Sequence, residues 1–287
     1  SLESDFIKTY KDLDKFLQSK IQNIKKKNPC YLFIDEVQKI SQWEKAINSY
    51  LNNELFDIYI TGSNAHLLSS ELATYISGRY IEIPIYSLGF QEFLNFRQKQ
   101  ISKLNVEEEI NNYIKYGGLP GIHRIDFDEE NVFMYLSAIF NTILLKDVID
   151  RHEVRNTKLL ENLSKFICSN IGNSTSAKSI SDYLKSQKLN VGVNTIQNHI
   201  TYLEDAYFIN KISRYDIKGK RFFEFKEKYF LSDLAIRHAL IGYRQSDING
   251  FLENIVYLEL KRCGYAVSVG ALDNLEVDLI ATKAKEK

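Results

Sequence analysis

Two carboxylates stand side by side at Asp35-Glu36, directly after the apolar run Tyr31-Leu32-Phe33-Ile34. A short apolar run of this kind reads as a buried strand, and open α/β sheets bind ligands at the carboxyl ends of their strands. There one carboxylate can hold Mg²⁺ through its water shell while its neighbour polarises the water that attacks a γ-phosphate. Asp35 suits the first role and Glu36 the second. The same two residues could instead open a helix, whose positive end favours acidic side chains. A second apolar run, Ile58-Tyr59-Ile60, ends at Thr61-Gly62-Ser63-Asn64. On a neighbouring strand this places Ser63 or Asn64 where a γ-phosphate could be sensed, although Gly, Ser and Asn also make simple turns. Arg79 follows Gly78 and either offers a cation to the transition state, in its own chain or a neighbouring subunit, or is a surface arginine.

Two further groups carry chemistry. From Ser176 a short helical pattern, a loop through Gly192 and a second pattern with Ile196, Ile200 and Leu203 on one face give helix-turn-helix spacing. The other face shows Asn194, Thr195, Gln197, Asn198 and Thr201, residue types able to hydrogen-bond base edges and phosphates. Strand-like Lys211–Tyr215 and Arg221–Lys226 then flank Lys218-Gly219-Lys220, a basic wing that includes Arg221. Residues 211–228 hold seven basic and three acidic side chains, an excess of 7 − 3 = +4 that favours phosphate. The same winged helix could serve DNA, a partner protein or packing alone. Nearer the end, a helix beginning at Glu253 and strands at Tyr265–Val269 and Glu276–Ile280 follow an order that resembles the restriction-endonuclease-like fold. Glu253 and Asp278 would match its first two metal ligands. Its third element should lie on a following strand, and Lys283, Lys285 and Lys287 substitute poorly for it.

The elements that position these groups alternate over residues 1–95. Helical spacing from Phe6 to Ile24 and from Trp43 to Leu51 is interleaved with the two apolar runs, and Ile81-Glu82-Ile83-Pro84-Ile85 reads as a third strand, with Pro84 at an edge or end. Strands alternating with helices imply a parallel sheet. Residues 96–170 are mostly helical, interrupted by Tyr116-Gly117-Gly118-Leu119-Pro120-Gly121, a turn expected in a lid or connector. Residues 171–230 form the winged helix and 231–287 a small α+β part. The expected class is therefore α/β: an incomplete parallel-sheet P-loop ATPase core over 1–95, a helical lid, a winged helix and an α+β end.

Lys+Arg and Asp+Glu both total 37, so attraction to nucleic acid must come from a local patch. Cys30, Cys168 and Cys263 are odd in number and far apart, which fits reduced thiols in the cytoplasm better than a disulfide framework. Spanning a bilayer takes roughly 20 apolar residues, and the sequence is expected to have no such run and no membrane association.

Taken together, Tyr31–Gln38, Ile60–Asn64 with Leu67-Leu68-Ser69-Ser70, Ser77-Gly78-Arg79-Tyr80, Ser87–Phe93 and Tyr116–Pro120 resemble the bacterial and archaeal AAA-type P-loop ATPases that carry a C-terminal domain of unknown function, DUF4143. The resemblance covers nearly the whole chain. It implies ATP and Mg²⁺ as cofactors, Asp35-Glu36 as a Walker B pair, and Arg151, after Leu145-Lys146-Asp147-Val148, as a second phosphate-facing cation. Use of Arg79 in trans would imply an oligomer. The family's phosphate-binding loop, G-x-x-x-x-G-K-[ST], does not occur in these 287 residues. Gly219-Lys220 is followed by Arg221 and has the wrong context. The expectation is that this loop lies upstream of Ser1, and that the nuclease-like part is likewise cut short.

Overall fold

The computed structural model describes residues 6–21, 30–53, 55–63, 79–101, 103–216, 221–272 and 275–283. By contact density the chain divides into two compact units, Ser1–Ile83 and Pro84–Lys287.

The first unit is an α/β layer. Helix α1 (Tyr10–Ile21) precedes strand β1 (Cys30–Ile34), and helix α2 (Trp43–Asn52) precedes strand β2 (Phe56–Ile60). The strands pair in parallel, Cys30 with Phe56 through Ile34 with Ile60. Leu13, Leu17, Ile34, Val37, Trp43, Ala46, Ile47 and Tyr50 form its core. Because side chains alternate along a strand, only one face of β1 and β2 meets the helices. On the other, Tyr31, Phe33 and Tyr59 are exposed, with the Phe33 and Tyr59 rings stacked at 5.0 Å. The strands are thus half-buried where full burial was expected. The third strand expected at residues 81–85 forms no ladder among the described residues, and Ile81, Ile83 and Ile85 are exposed. Alternating apolar residues supply the pattern of a strand, but a strand also needs a partner for its backbone groups.

The second unit packs helices on a mixed sheet. Its helices are α3 (Phe90–Arg97), α4 (Val106–Tyr116), α5 (Glu129–Thr142), α6 (Thr157–Ser169), α7 (Ala177–Ser186), α8 (Val193–Asp205), α9 (Leu234–Ile241) and α10 (Ile248–Arg262). Asn105 caps α4 by accepting from Glu107 N, and Asp128 caps α5 by accepting from Asn131 N. Strands β3 (Ile209–Asp216), β4 (Arg221–Leu231), β5 (Ala266–Leu272) and β6 (Leu275–Thr282) lie in the order β4-β3-β5-β6. The pair β3–β4 is antiparallel, β3–β5 parallel and β5–β6 antiparallel. Residues 96–170, 171–230 and 231–287 all feed one buried cluster, through Phe140 and Leu163, Ile196 and Phe208, and Phe251 and Tyr257.

Helix α5 runs into a π-helical stretch, Ile143–Asp150. Together, Glu129–Asp150 is long and apolar enough by length and composition to cross a membrane, contrary to expectation. Its Val132, Leu136, Phe140, Leu144 and Val148 are buried at four-residue spacing, one core-facing stripe, while Met134 is exposed.

The glycine-rich turn is held from far away in sequence. Gly117 has φ +71°, and a Cβ there would strike the Asp233 carboxylate. Gly118 donates its N–H to Asp233 Oδ2 at 2.9 Å and passes so close to Leu88 that a side chain would meet its carbonyl. Asp233 Oδ1 caps α9 through Ala235 N at 2.9 Å.

Candidate functional site

The ends of β1 and β2 meet side by side. Thr61 N donates to Ile34 O at 2.9 Å and Val37 N to Thr61 O at 3.1 Å, which continues the parallel pairing past both strands. The Thr61 hydroxyl donates to Asp35 Oδ1 and accepts from Glu36 N at 3.1 Å. Glu36 itself has φ 52° and ψ 48°, a left-handed conformation for a residue with a Cβ. Such outliers persist where the surroundings over-determine them and gather at functional sites. After it the chain turns through Val37–Lys39 and brings Gln38 back, whose Nε2 donates to Glu36 Oε2 at 2.8 Å and Ser63 Oγ at 3.2 Å. One polar cluster thus joins Asp35, Glu36, Gln38, Thr61 and Ser63. Glu36 stands at the N-cap of a single 3-10 turn, Val37–Lys39, as the helix-start alternative has it, but its side chain makes no capping bond and bonds to Gln38 instead. Asp35 is exposed, and its carboxylate is the oxygen ligand type a hard cation such as Mg²⁺ takes. Asn64 lies outside the described residues.

Gln38 and Thr61 carry this geometry, and neither stood among the candidate site residues. The signal for Thr61 was its position at the strand end. For Gln38 it was a polar residue two after Glu36, uninformative until the turn is seen. The Arg79 guanidinium is engaged by Asn52 Oδ1 at 2.7 Å and Asn48 Oδ1 at 2.9 Å, one turn apart on α2. Arg151, in the second unit, pairs with Asp147 at 3.2 Å.

The polar face of the second predicted helix is exposed on α8 at Asn194, Thr195, Gln197, Asn198 and Thr201, while Ile196, Ile200 and Leu203 are buried. The turn before it is fixed by Ser181 Oγ donating to Val191 O at 2.6 Å. Among the basic residues counted for the wing, Lys211 pairs with Glu227 at 3.5 Å and Arg214 with Glu276 at 3.8 Å. Lys228 is buried among carboxylates. These three are therefore not free charge for phosphate. Lys218 and Lys220 lie outside the described residues, and of Arg221 the backbone alone is described, opening β4 opposite Asp216.

Glu253 on α10 and Asp278 on β6 do come together, around Lys228 of β4. Its ammonium donates to Glu253 Oε1 at 2.7 Å, Glu276 Oε1 at 2.9 Å and Asp278 Oδ1 at 3.3 Å. Burial pulls the Lys228 ammonium down, but its bonds to Glu253 and Glu276 more than reverse that and raise it above its usual range. Burial likewise pushes Glu276 up, and Lys228, Ser174 and Arg214 bring it below the usual carboxylate range. Glu253 is raised, by burial first and then by the charges of Asp278 and Glu276, against the pull of Lys228. The expected metal pair therefore faces an ammonium. Among the described residues no three His, Cys, Asp or Glu side chains form a group arranged to hold a metal ion.

An α/β layer with acidic residues at a strand end beside a polar neighbouring strand end is the arrangement to set against known proteins. The structure of a Walker-type ATPase of Pyrococcus abyssi, PABY2304, superposes with a TM-score of 0.54 at 14% identity, over 81% of this chain and 79% of that one. Residues 2–94 match the family model described as an AAA domain. Residues 107–247 match a domain of unknown function, DUF8612, where the resemblance had pointed to DUF4143. An uncharacterized protein of Haemophilus influenzae is 38% identical over 286 residues, all of this chain and 70% of that protein. The uncharacterized protein MJ1544 of Methanocaldococcus jannaschii is 32% identical over 265 residues, 88% of this chain and 59% of that one, so the chain spans less than two thirds of it. The chain thus carries an AAA domain over residues 2–94 and belongs to one family with the uncharacterized Haemophilus influenzae protein.

Proposed function

We propose that the chain carries the metal- and water-positioning part of an ATP-hydrolysing site whose output acts on a separate partner. In this reading Asp35 holds Mg²⁺ through its water shell and Glu36 polarises the attacking water. Ser63 and Asn64 sense the γ-phosphate, and Arg79 and Arg151 are the candidate phosphate-facing cations. Residues 1–95 act as ATPase core, 96–170 as lid, 171–230 as winged helix and 231–287 as a nuclease-like part, in a cytoplasmic protein that is not membrane-bound. The phosphate cradle is no part of these 287 residues.

The observation that carries the reading is the joining of Asp35, Glu36 and Ser63 through Thr61 and Gln38 at two adjacent strand ends. A merely structural acidic pair has no need of a left-handed Glu36 tied to the next strand. The test is Glu36→Gln in the full-length protein: ATP still binds, and phosphate release falls by about two to three orders of magnitude, as for loss of a water-positioning group. Unchanged release overturns the reading.

A second reading, a nucleotide-switched module that binds DNA or a partner protein, is favoured by the exposed amide and hydroxyl face of α8. Metal-dependent nuclease chemistry at Glu253 and Asp278 loses support, because both carboxylates are committed to Lys228.

A further inference from the structure

Lys228 is buried to 2% side-chain exposure, a position in which an ammonium is tolerated only when paired. It has three N–H donors, and Glu253, Glu276 and Asp278 each take one. The carboxylates converge from different elements. Asn254 locks α10 to the end of β4, accepting from Leu231 N at 2.7 Å and donating to Leu231 O at 3.0 Å, and so fixes the neighbouring Glu253. Glu276 and Asp278 alternate on one face of β6, and Glu276 is steadied by Ser174 Oγ at 3.1 Å.

Carboxylates from a helix and a strand gathered on one point are the ligands a divalent cation takes. Here that point is an ammonium on a four-carbon stem. We propose that Lys228 is a tethered cation standing where Glu253, Glu276 and Asp278 would otherwise draw a divalent ion, so that the cluster clamps α10 and β6 onto β4, holds the three carboxylates out of the arrangement a metal needs and keeps divalent metal out.

Access is not what excludes the metal, since the Asp278 side chain is 73% exposed and gives the cluster an open edge. Charge excludes it. A divalent ion reaching these oxygens would sit beside the ammonium and, at 3.8 Å from Glu276, the Arg214 guanidinium, and both like charges would repel it. The ammonium cannot simply withdraw, because burial offers it no other acceptor of equal strength.

The test uses Mn²⁺ as probe, with thermal unfolding and the electron paramagnetic resonance signal of free Mn²⁺ as readouts. The parent chain and Asp278→Asn should bind Mn²⁺ alike and show the same unfolding midpoint with or without it. Lys228→Met should unfold at a temperature lower by several degrees, recover part of that loss in millimolar Mn²⁺, and lose the recovery when Asp278→Asn is added. Two results overturn the proposal: Mn²⁺ binding by the parent chain that Asp278→Asn abolishes, or a folded Lys228→Met that Mn²⁺ leaves unchanged. Should Lys228→Met not fold, the comparison of the parent chain with Asp278→Asn decides. Equal Mn²⁺ binding supports exclusion, and a deficit in the variant overturns it.

Discussion

Thr61, at the end of β2, donates its hydroxyl to the Asp35 carboxylate at the end of β1, and the same oxygen accepts the Glu36 N–H at 3.1 Å. One side chain thus sets the directions of both acidic residues. Replacing it with valine keeps the shape and removes both bonds. A hydrogen bond to a charged group contributes roughly 1.5–3 kcal/mol, so Thr61→Val should lower ATP turnover about tenfold or more in the full-length protein, and Thr61→Ser should restore most of it. Steady-state phosphate release alongside nucleotide affinity checks this. A valine variant with parental turnover would mean that Asp35 needs no positioning.

Gln38 deserves the parallel experiment, because it spans Glu36 and Ser63 from the turn after β1. Gln38→Ala removes the donor but leaves the strands intact, so folding should be nearly unchanged while turnover falls. Gln38→Glu should be worse than alanine, since it sets a third carboxylate against Glu36. The order parent, alanine, glutamate in phosphate-release rate is the expected outcome, and any other order separates Gln38 from catalysis.

In the second unit the Asp233 carboxylate spans 115 residues of sequence to reach the Gly118 N–H while it caps α9. Asp233→Ala leaves a buried N–H and a helix end unsatisfied, costing about 2–4 kcal/mol from the cap and the lost bond together. Gly117→Ala adds both left-handed strain and a collision with Asp233. Urea unfolding should show both variants destabilised, and the pair combined should lose less than the sum, because they break one contact.

How much of this was readable depends on the range of the contacts. Asp35-Glu36 was legible because four apolar residues and two acids are consecutive, and the parallel pairing followed from the alternation of strands and helices. The Gly117-Gly118 turn was legible as a turn, but its cause lies at Asp233, which no local pattern connects to it. Residues 81–85 showed a strand's alternation, while strand formation depends on a partner that spacing cannot supply. Lys228 was counted as one more basic residue of a wing. Its burial depends on β5–β6 joining β3–β4 in one sheet through Arg214–Val269, a long-range pairing invisible in either segment alone. The same pairing spends Arg214 on Glu276, which is why a local excess of basic residues overstated the charge open to phosphate.

That lesson shapes the prediction for α8. If the helix meets DNA, its contribution comes from neutral side chains, so Asn194→Ala with Gln197→Ala should weaken binding of the full-length protein about tenfold without changing the salt dependence, which follows the number of phosphates neutralised. Lys211→Ala, by contrast, should leave binding unaltered because Lys211 is paired with Glu227. Fluorescence anisotropy with duplex DNA at several salt concentrations separates these outcomes.

His123 supplies a prediction in pH. It lies buried between the Phe93 and Phe96 rings, at 4.9 and 5.2 Å, and neither ring nitrogen has a hydrogen-bond partner among the described residues. Burial, and secondarily the Arg97 charge, push its imidazole from the usual 6.5 to about 4. His238, buried beside Arg237, is likewise pushed down to about 4, by burial first. The folded chain therefore holds both rings neutral, whereas the unfolded chain protonates them as pH falls through 6.5. Between 6.5 and 4 the unfolded state binds more protons, so the contribution of neutral burial is complete above 6.5 and is lost progressively on acidification. His123→Leu keeps an apolar side chain of similar size between the phenylalanines and removes one of the two protons. Its stability should fall less steeply with acid, by about one proton in the slope of unfolding free energy against pH, and at pH 5 it should be at least as stable as the parent. Urea unfolding at intervals from pH 7 to pH 4.5 measures the slope directly, and a variant with the parental slope would show that the His123 ring takes up its proton inside the fold as readily as in the unfolded chain.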